Sequence, residues 1–214
     1  MSKAHFIRQN TSVMSPPLVP EIKLHLAHEA VPLWQKTEEE LGEMGLAPPF
    51  WAFAWAGGQA LARYVLDHSS TVENLRVLDL ATGSGLVAIA AVQAGSASIV
   101  ATDIDEFATT AAEMNAGLNQ VRLDIKLEDV LHQQPPPTDV ILVGDLFYEK
   151  TLAGNCLAWL RQAQGQGAKV FIGDPGRSYL PRDQLEKLAE HNVPVTRDLE
   201  DAEIKRTAVW QLRA

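Results

Sequence analysis

The stretch Val77-Leu78-Asp79-Leu80-Ala81-Thr82-Gly83-Ser84-Gly85 joins a short apolar run to a glycine-rich turn, and the turn opens directly onto the apolar helical pattern Leu86–Ala94. Glycines at such a turn let the backbone approach a ligand closely, and the helix start presents unpaired N–H groups to it. On both sides the same alternation continues. Apolar runs at Arg76–Ala81, Ser98–Asp103, Val121–Lys126, Asp139–Gly144 and Ala168–Gly173 read as buried parallel strands. Helical patterns at Glu106–Leu118, Glu149–Gln164 and Arg182–His191 lie between and after them, with Gly95 and Gly117 where helices should end. Val193–Leu199 and Thr207–Leu212 are strand-like, with no room for a helix between, and predict a closing antiparallel hairpin. The expected fold is therefore α/β. It has a Rossmann-like, seven-stranded, mostly parallel sheet with an antiparallel C-terminal hairpin and helices on both faces.

Residues 1–70 do not follow this alternation and are expected to cap the sheet and shape the substrate side of a core spanning 71–214, the whole forming one domain. Ile22, Leu24 and Leu26 suggest a short strand, Thr37–Met44 an acidic helix and Gly58–Asp67 an amphipathic one. The first twenty residues lack an apolar run, so they do not read as a secretory signal, and a flexible N-terminus is expected.

With 214 residues and 46% hydrophobic content the chain suffices for one well-packed domain. No window is apolar enough to span a membrane. The formal net charge is −9 and no Lys/Arg cluster is visible. That argues against nucleic acid and toward a small molecule or a lysine-bearing protein as partner. The single cysteine, Cys156, falls on a predicted helix face as a small core residue, so no intrachain disulfide forms. A cytoplasmic location, or the mitochondrial matrix in a eukaryote, and a monomeric state are expected. The six histidines show no close ligand grouping; His25 and His28 have helical spacing in a stretch that reads as strand, so no metal site is expected.

Asp79 separates two cofactor classes. Pyrophosphate over the turn would be repelled by a carboxylate just before it, whereas the cationic amino group of S-adenosylmethionine would be attracted. The alternative is that Asp79 only caps the turn. Asp103, at the end of the next strand in Ala101-Thr102-Asp103-Ile104-Asp105, stands where a carboxylate grips ribose hydroxyls. Asp105 reads as the N-cap of the following helix. After the third strand, Asp129 can accept from an adenine amino group while Val130 packs on the ring; a solvated turn is the other reading of Glu128-Asp129-Val130.

These features, over residues 76–145, resemble the motif series of class I S-adenosylmethionine-dependent methyltransferases. The family usually carries Gly where this chain has Ala81. The resemblance implies a site with Asp79, Ala81, Gly83, Gly85, Asp103, Ile104, Asp129, Val130 and Trp55 around S-adenosylmethionine, S-adenosylhomocysteine as product, and no metal.

Three further stretches narrow the likeness: Pro49-Phe50-Trp51-Ala52-Phe53-Ala54-Trp55-Ala56-Gly57-Gly58-Gln59-Ala60-Leu61 before the core, Asp145-Leu146-Phe147-Tyr148 at the tip of the fourth strand, and Ile172-Gly173-Asp174-Pro175-Gly176-Arg177 at the end of the fifth. From about Pro20 to Leu212 the chain resembles the family of electron-transfer flavoprotein β-subunit lysine methyltransferases, with Trp-Ala-Gly at 55–57 where Trp-Pro-Gly is expected. The resemblance implies a protein-lysine N-methyltransferase acting on that subunit, with Asp145 and Tyr148 catalytic and Trp51, Phe147, Asp174 and Arg177 on the substrate side. Alternatives remain at the residue level. Trp51, Phe53 and Trp55 alternate as in a core strand, Asp174-Pro-Gly is an ordinary turn, and Tyr148 fits a half-buried core position. Competing functions are a small-molecule N-methyltransferase acting on a nicotinamide-like amine, an NAD-dependent oxidoreductase, and a non-catalytic flavoprotein-binding module.

Overall fold

The computed structural model describes residues 2–27, 48–195 and 203–213. The expected helix at Thr37–Met44, His28 and the last residues of the strand expected over Val193–Leu199 lie outside the described residues.

Strands β3 (Arg76–Leu80), β4 (Ser98–Asp103), β5 (Asp124–Leu127), β6 (Val140–Gly144) and β7 (Lys169–Asp174) are parallel, and β8 (Leu185–Pro194) and β9 (Ile204–Leu212) form an antiparallel hairpin. The sheet order is β5-β4-β3-β6-β7-β9-β8, with β9 antiparallel to β7. The period-2 pattern divides the core. Val77, Val140, Leu142 and Phe171 face one side, under helices α2 (Ala56–Asp67) and α3 (Leu86–Gln93). Leu78, Leu80, Ile141, Val143, Val170 and Ile172 face the other, under Cys156, Trp159 and Leu160 of α5 (Lys150–Gly165). Helix α3 is apolar all round and its first six residues are buried, as a helix without a polar face must be. The chain builds β3, β4 and β5 in one direction and then returns to lay β6 on the other side of β3. A crevice therefore opens at the carboxyl ends of β3 and β6.

Several expectations are corrected. Arg182–His191 is not a helix: a 3₁₀ turn at Arg182–Gln184 leads into β8. The pairing of β8 with β9 shifts between Lys187 and Ala189, leaving Leu188 as an extra residue. That bulge turns a period-2 pattern into the 185, 188, 189 spacing of a helix face. β5 is an exposed edge strand that starts at Asp124, later than expected. Gly95 (φ 89°) closes α3 as expected, but α4 (Glu106–Leu118) runs past Gly117 and is closed by Gln120 (φ 56°).

Regular structure begins at Lys3, where a flexible N-terminus was expected. Ser2 caps helix α1 (Lys3–Asn10) by accepting the His5 N–H, and Ile7 is fully buried against α4 and the Trp51–Phe53 segment. Strand β1 (Ser12–Met14) pairs with β2 (Leu24–Leu26). An eight-residue helix with one buried residue offers no repeat long enough to be read as periodic.

Candidate active site

The glycine turn is built from alternating left-handed residues: Ala81 (φ 54°), Gly83 (φ 52°) and Gly85 (φ 81°). Ala81 holds this geometry at the cost of contact between its Cβ and its own backbone, about 1 kcal/mol. Asp79 does not reach the cavity described below. Its Oδ2 accepts the Thr82 hydroxyl at 2.5 Å and the Ala88 N–H at 3.1 Å, tying the turn to the start of α3. Of the two readings of Asp79, these hydrogen bonds are those of the turn cap. Burial pushes its carboxyl up to about 7. Gly85 is also off the wall; a Cβ there would stand 3.1 Å from that of Ala112 on α4, so this glycine serves helix packing.

Asp103, at the tip of β4, is on the wall. Its Oδ2 accepts the Gly83 N–H at 2.9 Å and its Oδ1 the Asp105 N–H at 3.0 Å, which fixes the carboxylate across the turn. Burial raises its pKa. Asp105 caps α4 through the Phe107 N–H at 2.8 Å, as expected. Ile104, 73% exposed, and Val130 add apolar wall. Asp129 lies beside them and accepts the Leu131 N–H at 3.1 Å.

Asp145 follows Gly144 at the tip of β6 in left-handed geometry (φ 56°) and is 8% exposed. Its N–H donates to the Gly173 carbonyl at 3.0 Å, which anchors the turn to β7. Its Oδ2 accepts the N–H of Gly57, the second residue of α2, so the carboxylate sits at a helix N-terminus. Its Oδ1 accepts Nε of Arg177 at 2.9 Å and Nη2 at 2.8 Å. The Arg177 guanidinium in turn lies 5.7 Å from the Trp55 ring centroid. Burial pushes the Asp145 carboxyl up to about 6; Arg177 opposes that shift and Asp174 adds to it.

Two residues expected on the substrate side do not line the cavity described below. Asp174 is buried behind the wall, where its Oδ1 accepts the N–H of Gly176 at 2.6 Å and of Arg177 at 2.7 Å. It shapes the loop that presents Arg177. Phe147 is fully buried beneath α5 and is not part of the cavity wall. Tyr148 is on the wall, 46% exposed and 5.8 Å from the Phe50 ring. Trp51 and Phe53 are not a core strand: Phe50–Ala52 is a 3₁₀ turn. Trp51 stacks on Phe107 at 6.0 Å, and both Trp51 and Trp55 reach the cavity. Sequence reasoning missed Phe50, Ala108, Leu131 and Leu152 as wall residues. Phe50 stands within the aromatic stretch but was given no site role there; the others carry no chemical signal.

These residues enclose one cavity of about 640 Å3 at the carboxyl ends of the strands. It runs from the Ala81–Gly83 turn and Asp103 to Asp145, Arg177 and Tyr148. A Cβ at Gly83 would meet no atom within 4 Å, so space lies open over the turn.

A family model described as ribosomal protein L11 methyltransferase matches residues 59–146. An electron transfer flavoprotein beta subunit lysine methyltransferase from Xenopus laevis is 37% identical over 211 residues, covering 96% of this chain and 85% of the relative. The chain belongs to the electron transfer flavoprotein beta subunit lysine methyltransferase family. The human member is 34% identical over 96% of this chain and 80% of its own length. This cover takes in part of the first twenty residues too, which the sequence likeness left outside. Among solved structures, the ribosomal protein L11 methylase of Lactobacillus delbrueckii aligns with a TM-score of 0.53 at 23% identity, covering 79% of this chain and 83% of that one. Magnesium protoporphyrin IX methyltransferase of Synechocystis with bound SAM aligns at 0.54 and 15%, covering 74% and 80%. Both likenesses concern the fold. Within the family, the departure at Ala56 is a mild one. It is the first residue of α2, a position that suits Pro and Ala alike.

Proposed function

We propose that this chain transfers methyl groups from S-adenosylmethionine to lysine ε-amino groups of the electron-transfer flavoprotein β subunit. The observation that carries the reading is a single cavity shared by the glycine turn with Asp103 and by the Asp145–Arg177–Tyr148 cluster. Family membership supports the protein substrate.

The residues present fit the methyl donor. The open space over Gly83 would take its methionyl part, Asp103 its ribose hydroxyls, and Ile104, Asp129 and Val130 its adenine. Bound there, the sulfonium supplies an electrophilic methyl group. The protein's task is then alignment, which requires neither a metal nor a covalent intermediate. A lysine amine with a pKa of about 10.4 must shed its proton, at a cost of roughly 4 kcal/mol near neutral pH. The apolar wall of Phe50, Trp55 and Tyr148 disfavours the charged amine by desolvation. A carboxylate has about four acceptor sites, and the Arg177 and Gly57 groups fill three at Asp145. The remaining site can accept an N–H of the entering amine and orient its lone pair. The reading places the enzyme as a monomer in a reducing compartment, cytoplasmic or mitochondrial.

The test is incubation with labelled S-adenosylmethionine and purified electron-transfer flavoprotein, wild type beside Asp145→Ala, with label mapped by mass spectrometry. Label should appear on β-subunit lysines and vanish in the variant, while S-adenosylhomocysteine affinity by calorimetry stays within about threefold. Absence of label from wild type despite S-adenosylhomocysteine binding would sink the substrate and direct the search to small amines. Loss of S-adenosylhomocysteine binding in the variant would make Asp145 a donor ligand.

A further inference from the structure

A carboxylate beside the substrate amine presents a difficulty. Alone, Asp145 would hold an entering lysine as an ammonium ion, the unreactive form. The structure places a second group there. Arg177 puts two N–H groups on one Asp145 oxygen and packs its guanidinium over Trp55. Its backbone is held by Asp174, so the loop presents it in one place. We propose that Arg177 is a positioning residue for methyl transfer: it neutralises Asp145, so that the substrate amine meets a hydrogen-bond acceptor of no net charge and can enter without its proton. This rests on the lysine-methylating reading above.

Among the described residues, the groups facing this point come from each packed element. The N-terminus of α2 contributes the Gly57 N–H, the β6 tip Asp145 and Tyr148, and the β7 tip Asp174, with Arg177 and Arg182 beyond it. Asp174 is paired with two backbone N–H groups and feels both arginines. Tyr148 has its pKa raised by burial and by the charges of Asp103 and Glu149, so it stays a neutral hydroxyl. Arg177 is the cation in contact with Asp145. Removing it should leave an unbalanced Asp145 carboxyl that keeps a proton between itself and the incoming amine, binding substrate no worse while slowing its reaction.

The experiment measures kcat and KM for flavoprotein lysine methylation from pH 6.5 to 10 with wild type, Arg177→Met and Arg177→Lys, alongside S-adenosylhomocysteine affinity. Arg177→Met should lose about 100-fold in kcat at pH 7.5 with KM unchanged or lower, and its kcat should recover toward wild type as the rising limb moves up by about 2 pH units. Arg177→Lys keeps the charge and should keep the wild-type limb, with S-adenosylhomocysteine affinity within about threefold in both variants. A uniform loss at every pH in Arg177→Met, or a limb displaced in Arg177→Lys, would overturn the proposal and leave Arg177 a loop anchor. Should Arg177→Met not fold, the lysine variant alone decides. An active wild type with an unmoved limb in Arg177→Met sinks only this inference. A wild type that methylates no flavoprotein lysine sinks both.

Discussion

At the scale of single residues, the site depends on carboxylates held far from their ordinary titration. Asp79 is 2% exposed and pushed up to about 7, above the usual 3.8. Between those values the folded chain holds a proton that the unfolded chain has released, so stability falls as pH rises through the window and levels off above about 7. Asp145, raised to about 6, acts with the same sign over a narrower range. His25 and His191, lowered by burial, act in the opposite sense below their ordinary value, so the informative quantity is a difference. Denaturant unfolding at pH 5.5 and 8 should show wild type losing about 2 kcal/mol more than Asp79→Asn over that interval. Parallel curves would mean Asp79 stays ionised throughout. Asp103 and Asp145 were legible in the sequence because carboxylates at the tips of parallel strands beside the switch point stand close to the crevice. Asp174 also ends a strand but turns to its own loop, and Phe147 turns beneath α5; position along a strand does not give that direction. Asp79 could be read two ways since both uses call for the same residue at the same place.

Among elements, the decisive contact is the N-terminus of α2 against the tips of β6 and β7. A Cβ on Gly173 would lie 2.1 Å from the Gly57 carbonyl oxygen, and one on Gly57 would lie 2.2 Å from that of Gly173. A Cβ on Gly144 would stand 3.1 Å from Gly58. Backbones must touch here for the Gly57 N–H to meet Asp145. Gly173→Ala should therefore force α2 away, costing about 3 kcal/mol and lowering the melting temperature by roughly 10 °C. Calorimetry would check it, and an unchanged melting temperature would show that the contact relaxes freely. Nothing in the sequence announces this meeting, because glycines 57 and 173 are brought together only by the finished sheet. The parallel core, by contrast, was legible strand by strand from its apolar runs. The reading failed where a bulge disguised β8 as a helix face and where α1 was too short to show a period.

For the whole molecule, the return of the chain from β5 to β6 places the cavity, and wall residues come from well-separated parts of the sequence. A ligand that fills such a cavity binds the folded state alone. S-adenosylhomocysteine at a hundred times its dissociation constant should add about 2.7 kcal/mol, or roughly 5–10 °C of melting temperature. NADH at comparable concentration should add nothing; stabilisation by NADH instead would overturn the choice of cofactor. The order of the last strands carries a different consequence. β9 lies between β7 and β8, yet it is made after both. Until residues 204–212 have emerged and folded in, β8 lacks its neighbour and β7 shows a bare margin. For that interval any extended chain nearby can lend its backbone to the slot, which makes the nascent enzyme, rather than the finished one, the form most in need of a chaperone.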